Sequence, residues 1–163
     1  MKNLILIRHA KSSWEIPLRD IDRPLSHRGL SDAHLVSEAS MLLIPKSNAI
    51  CCSPAKRTRE TAVIFAQNLG WPLDRIMYLD SLYTFDGFEL TKIIKSSLNG
   101  YENVIVFGHN EAITEFVNTF GDLYIDNVPT CGLVHLQFEV GDWSEIKKGK
   151  TIRTIFPRDL KND

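Results

Sequence analysis

Short, wholly apolar runs alternate with segments of helical period from one end of the chain to near the other. The first run, Asn3 to Arg8, predicts a strand, and a polar loop follows it through Pro24. A helix is expected from about Ser26 to Leu43, with Pro45 closing it. Ala49 to Cys52 reads as a short strand running into Ser53-Pro54, where Ser suits the N-cap and Pro the first helical position. In the helix expected next, Ala62, Phe65, Ala66 and Leu69 form an apolar stripe before Gly70 and Pro72. Arg75 to Leu79 predicts a third strand. Gly87 to Leu98 predicts a helix facing Leu90, Ile93, Ile94 and Leu98 inward. Asn103 to Phe107 reads as a buried strand, after which Asn110 caps a helix striped by Ile113, Phe116, Val117 and Phe120 and stopped at Gly121. Val134, Leu136, Phe138 and Val140 then alternate with polar residues, and Gly141-Asp142 turns the chain toward a last strand, Lys150 to Phe156. The pattern predicts an α/β three-layer sandwich: a mostly parallel central sheet with an antiparallel C-terminal edge and helices on both faces.

Composition adds limits. At 163 residues the chain suits one domain over residues 1–163, and no Gly, Ser or Pro-rich linker divides it. It is 44% hydrophobic and 24% charged, a globular balance, and its formal charge of −1 argues against general nucleic-acid binding. Met1 to Ile7 is too short an apolar run for a secretory signal, and no stretch approaches the roughly 20 apolar residues of a membrane span. A cytoplasmic protein with no membrane partner is therefore expected. Cys51, Cys52 and Cys131 form no zinc-like pairs; adjacent Cys51 and Cys52 point to opposite sides of a strand and read as reduced core thiols.

The chemistry-bearing residues fall at one kind of place. Arg8-His9 follows the first strand, Ser53 and Arg57 the second, Asp80 to Asp86 the third, and Gly108-His109-Asn110 the fourth. In an open parallel sheet the carboxyl ends of the strands share one edge, so these groups converge in one crevice. Phosphoryl transfer needs an in-line nucleophile and positive donors around the equatorial oxygens. His9 supplies the nucleophile if its other ring nitrogen is held as a donor, and nearby arginines favour the neutral imidazole. Arg8 and Arg57 can each grip two phosphate oxygens, the helix start after Ser53 aims N–H groups at the same place, and His109 can donate a further hydrogen bond. Arg8-His9 alone would be a weak signal, because strand-end histidines are often simply satisfied polar residues. Lys56, Arg59 and Glu60 read as a solvated helix face, and His27, His34 and His135 as structural. A metal held by His9 and His109 is opposed by the two arginine charges.

Taken in order, Leu4-Ile5-Leu6-Ile7-Arg8-His9-Ala10, Ser53-Pro54-Ala55-Lys56-Arg57-Thr58-Arg59-Glu60-Thr61 and Gly108-His109-Asn110 resemble the histidine phosphatase superfamily. The short length, Arg8 to Trp14, Arg23 to Gly29 and the turn Pro129-Thr130-Cys131-Gly132 resemble its small bacterial phosphohistidine phosphatase branch. The resemblance implies that His9 is phosphorylated, that Arg8, Arg57 and His109 form the phosphate pocket, and that neither cofactor nor metal is involved. Ala10 stands where much of the superfamily has glycine. Leu82-Tyr83 leads to Thr84 where many members carry an acidic glutamate, and threonine cannot serve as that acid.

Thr84 bears on the substrate. An alkyl phosphate leaves as a basic alkoxide and gains about 10² to 10⁴ in rate from a general acid. Imidazole is a far better leaving group, so a phosphorylated protein of the histidine-phosphotransfer type is the favoured substrate. Little chain is left over for a lid, and an open crevice admits a histidine on another protein's surface. Lys11 joins Ser53 among the expected substrate-binding groups, and Trp14 and Arg19 stand with Lys11 as candidates for the rim. A phosphatase for small phosphoesters, with Asp86, Asp80 or Glu111 as acid, is the alternative; a non-catalytic phosphate-recognition module is a third reading.

Overall fold

The computed structural model describes residues 1–46 and 48–161. Strand β1 (Lys2–Arg8) leads through the long loop to helix α1 (His27–Ser40), then β2 (Ala49–Cys52), α2 (Lys56–Leu69), β3 (Ile76–Tyr78), α3 (Gly87–Ser97) and β4 (Asn103–Gly108). Helix α4 (Ala112–Phe120), β5 (Leu133–Phe138), β6 (Lys150–Ile155) and the short α5 (Pro157–Leu160) complete it. The sheet order is β3-β2-β4-β1-β5-β6. The first four strands are mutually parallel, whereas β5 runs antiparallel to both β1 and β6. The antiparallel edge thus has the predicted pair, and β5 sits inside the sheet, which buries His135 on a strand that read as half-polar.

Period-two alternation divides the strands between two cores. Leu4, Leu6, Cys51, Val104 and Val106 pack with Leu90, Ile94, Ile113 and Phe116 of α3 and α4. Ile5, Ile7, Cys52, Ile105 and Phe107 pack with Ala33, Val36, Phe65 and Ala66 of α1 and α2. The adjacent cysteines accordingly face different layers, buried and unbridged. Among the described residues no helix is long and apolar enough to cross a membrane.

Three local expectations are corrected. Helix α1 is capped by Ser26, whose Oγ accepts from Gly29 N at 3.1 Å, but it ends at Ser40 because its last turn tightens, with Met41 N donating to Glu38 O and Leu43 N to Ser40 O. Ala55, not Ser53, is the N-cap of α2. Asn110 stands one residue outside the N-cap of α4, Glu111, and reaches in to accept from Thr114 N at 3.1 Å.

Candidate active site

Register puts the site together. Arg8 pairs with Gly108 across β1 and β4, so the residues that follow, His9 and His109, leave neighbouring strand ends side by side, their ring centroids 5.4 Å apart. Backbone hydrogen bonds fix that departure: His9 N donates to Gly108 O, and Cys131 N, at a left-handed backbone position, donates to His9 O. Ala10 N is tied to Thr61 Oγ1 of α2 at 3.0 Å. The Pro129–Gly132 turn therefore buttresses the strand end from the far side.

The two nitrogens of His9 are chemically distinct. Nδ1 lies 2.7 Å from Ala10 O, and a carbonyl only accepts, so Nδ1 carries the proton. Nε2 is left with its lone pair toward Arg57, whose Nε donates to it at 3.4 Å. Burial pushes the His9 pKa down to about 3; the bond to Ala10 pulls the other way, and the charges of Arg57, Arg8 and Arg23 add to the lowering. The ring is neutral at ordinary pH.

His109 is 1% exposed, and its pKa is likewise pushed down to about 3, by burial first and then by His9 and Arg57. Its Nε2 lies 2.8 Å from Ser53 Oγ and its Nδ1 3.5 Å from Arg57 Nη2. A hydroxyl can donate or accept. A guanidinium only donates, so Nδ1 accepts from Arg57 and the ring carries its own proton on Nε2, donated to Ser53 Oγ, which also accepts from Ala55 N at 3.3 Å. Ser53 is wholly buried, with its hydroxyl against His109 and the start of α2.

Arg57, on the first turn of α2, is 2% exposed and points inward between the two histidines. Arg8 is held by Nη1 donating to Val128 O at 2.8 Å. Burial draws the Arg8 pKa down, and the charge of Glu111 opposes that, which sets Glu111 near the cationic pocket. The other candidate acids have local duties or none in the pocket. Asp86 Oδ1 accepts from Phe88 N at 2.9 Å as the N-cap of α3. Asp80 is exposed on the short turn Asp80–Leu82. Lys11 is exposed, and its carbonyl accepts from Ser26 N and Oγ. Arg19 pairs with Asp22 at 2.8 Å. Among the described residues no three His, Cys, Asp or Glu converge to hold a metal.

Three groups at the site escape the sequence reading. Asp20 accepts from Arg57 Nη2 at 2.9 Å and Arg23 Nη2 at 3.1 Å, and from the Tyr83 hydroxyl. Burial alone would raise its pKa, but the hydrogen bonds from Tyr83, Arg57 and Arg23 outweigh it and hold the carboxyl well below the usual range. The rings of Tyr83 and Phe85 pack edge-on to His109, with centroids 5.4 and 5.1 Å away. Their position after β3, on the edge already marked by the four strand ends, was the available signal. Asp20 gave none, because its loop has no periodicity.

Residues 4–81 match the model of the histidine phosphatase superfamily (branch 1). An uncharacterised chloroplast protein of Arabidopsis thaliana is 33% identical over 153 residues, 88% of this chain and 70% of its own length. The structure of the protein histidine phosphatase SixA complexed with tungstate superposes with a TM-score of 0.81 at 18% identity, covering 98% of this chain and 99% of the other. A mycobacterial glucosyl-3-phosphoglycerate phosphatase superposes at 0.68 with 12% identity, over 94% and 98% of the two chains. Both likenesses show a shared fold.

Proposed function

This chain belongs to the histidine phosphatase superfamily and is a phosphatase, and from that premise we propose that it works through a phosphohistidine on His9 and takes its phosphate from a histidine carried by a partner protein. The observation that carries the reading is the asymmetry of His9, a neutral ring with Nδ1–H on Ala10 O and the Nε2 lone pair in the cationic pocket. In the first step Nε2 attacks phosphorus, the new P–N bond forms, and the substrate's P–N bond breaks with its electron pair returning to the leaving nitrogen. A substrate imidazole already protonated on its other nitrogen leaves neutral and needs no acid. The phosphorylated His9 is an imidazolium whose charge the Ala10 carbonyl stabilises. Water then attacks phosphorus, His9 departs as neutral imidazole, and the water's proton passes to phosphate or solvent. Arg57 and Arg8 stabilise the transferring oxygens, and His109, held by Ser53, supports Arg57 Nη2 from beside them.

The substrate choice is supported by the carboxylates. Asp20, bonded to Arg57, is ionised at neutral pH and cannot protonate an alkoxide, and Asp86 caps a helix. The surroundings agree: Trp14 is 73% exposed and Phe85 48%, so apolar surface meets solvent in the loop after His9 and beside His109. A small phosphoester as substrate is favoured by Glu111 instead, the candidate acid whose charge reaches Arg8.

Trapping with labelled phosphoryl donor under an acid-free quench tests the intermediate. Wild type is expected to carry label and His9→Ala none; equal labelling of both, or turnover without label, overturns His9 as the acceptor. Hydrolysis of a phosphorylated histidine-phosphotransfer protein, set against a panel of sugar and nucleotide phosphates, tests the substrate. Preference for the panel overturns the protein-substrate reading.

A further inference from the structure

A guanidinium offers two edges, each able to present a pair of N–H groups. On Arg57 the edge formed by Nη1 and Nη2 is taken up by a single residue: Nη1 donates to Asp20 O at 2.6 Å and Nη2 to Asp20 Oδ2 at 2.9 Å. The other edge, Nε and Nη2, faces His9 Nε2 and His109 Nδ1. We infer that Asp20 is a positioning residue that clamps the outer edge of Arg57 so that the inner edge is aimed at the phosphoryl group. The inference rests on the reading of Arg57 as a phosphoryl ligand.

Several features single Asp20 out for this task. Both its backbone carbonyl and its carboxylate engage Arg57, so the clamp fixes the plane of the guanidinium as well as its position. A free arginine side chain samples many rotamers, and holding it beforehand removes that entropic cost from the reaction. Asp20 is itself braced. Tyr83 donates to the same Oδ2, and Arg23 Nη2 donates to Oδ1 at 3.1 Å. Arg23 is anchored in turn by Ser12 Oγ and by Trp14, whose ring centroid lies 3.5 Å from the guanidinium carbon. The loop between β1 and α1, which forms only the short turn Asp20–Asp22 and an isolated bridge from Ser12 to Leu25, thus holds one side chain in a defined place opposite α2. The carboxylate is fixed in its ionised form by the same donors, as acceptance from two arginines requires.

The test is a double-mutant cycle with free phosphohistidine as the phosphoryl donor, supported by inorganic phosphate binding measured by calorimetry. Asp20→Ala is expected to lower kcat by about tenfold or more with a smaller change in KM. Asp20→Asn keeps an oxygen acceptor and is expected to recover most of that loss. Arg57→Lys keeps the charge but has no second edge to aim, so adding Asp20→Ala to it should change kcat less than about twofold. An equal loss from Asp20→Ala in both backgrounds would overturn the clamp, as would tighter phosphate binding with raised kcat/KM, which would make Asp20 a competitor for the phosphoryl seat. A full loss in Arg57→Lys beside an unaffected Asp20→Ala removes the clamp alone; unchanged turnover and phosphate binding in Arg57→Lys remove the reading of Arg57 as well.

Discussion

At the scale of single residues, the site is governed by which nitrogens carry protons. His9 and His109 both resist protonation until about pH 3, whereas the same side chains in the unfolded chain protonate near 6.5. Between those values the unfolded state binds more protons, so stability falls as pH drops through that window, by up to about 1.4 kcal/mol per pH unit for each histidine. Asp20 acts in the same direction, but only as pH falls below its ordinary carboxylate range. Urea unfolding followed from pH 7 to 4 should show a steep loss in wild type and a shallower one in His109→Asn; parallel slopes would contradict the assignment. Since the nucleophile stays neutral, the acid limb of kcat/KM should likewise lie well below pH 6.5. Ser53→Ala leaves the His109 Nε2–H buried without its acceptor and removes the contact that keeps Nδ1 free to accept from Arg57. A loss of about 1–3 kcal/mol in stability and a clear fall in kcat are expected, measured by unfolding and by single-turnover rates.

At the scale of elements, helix starts matter most. The first turn of α1 lies directly on the loop that holds Asp20 and Arg23: a Cβ at Gly29 would sit 2.1 Å from the backbone oxygen of Lys11, with no flexible side chain to yield. Gly29→Ala should therefore displace the loop or the helix, costing about 1–3 kcal/mol and lowering activity together with stability, as thermal unfolding and turnover would record. In the sequence Gly29 stands out only as the end of the segment Arg23 to Gly29 that carries the family resemblance; the physical reason for a glycine there is the loop. The start of α2 is a similar case. Ser53-Pro54 correctly announced a helix, but the serine hydroxyl bonds His109 across the sheet edge, and Ala55 takes the cap position. A local propensity was overridden by a partner on another strand.

At the scale of the whole molecule, one sheet separates two cores, and both must be dry for the strand ends to hold register. Cys51 packs in one core while Cys52 and Cys131 pack in the other, and burial pushes the Cys51 thiol up to about 11 and the other two higher. All three should resist a thiol-specific disulfide reagent in the native protein and react together on unfolding; fast native labelling would argue that a core opens locally. The sequence by itself determined the layered α/β architecture, because side-chain period and turn residues are local properties. It also marked the edge where Arg8, His9, Arg57 and His109 meet, because chemistry placed after successive parallel strands must converge there. Only the tertiary structure decided that Asp20 and Tyr83 complete the setting of Arg57. Those contacts join residues 37 and 63 positions apart in the chain, from a loop without periodicity. No spacing rule encodes such a meeting; it follows from the packing of that loop across the sheet edge.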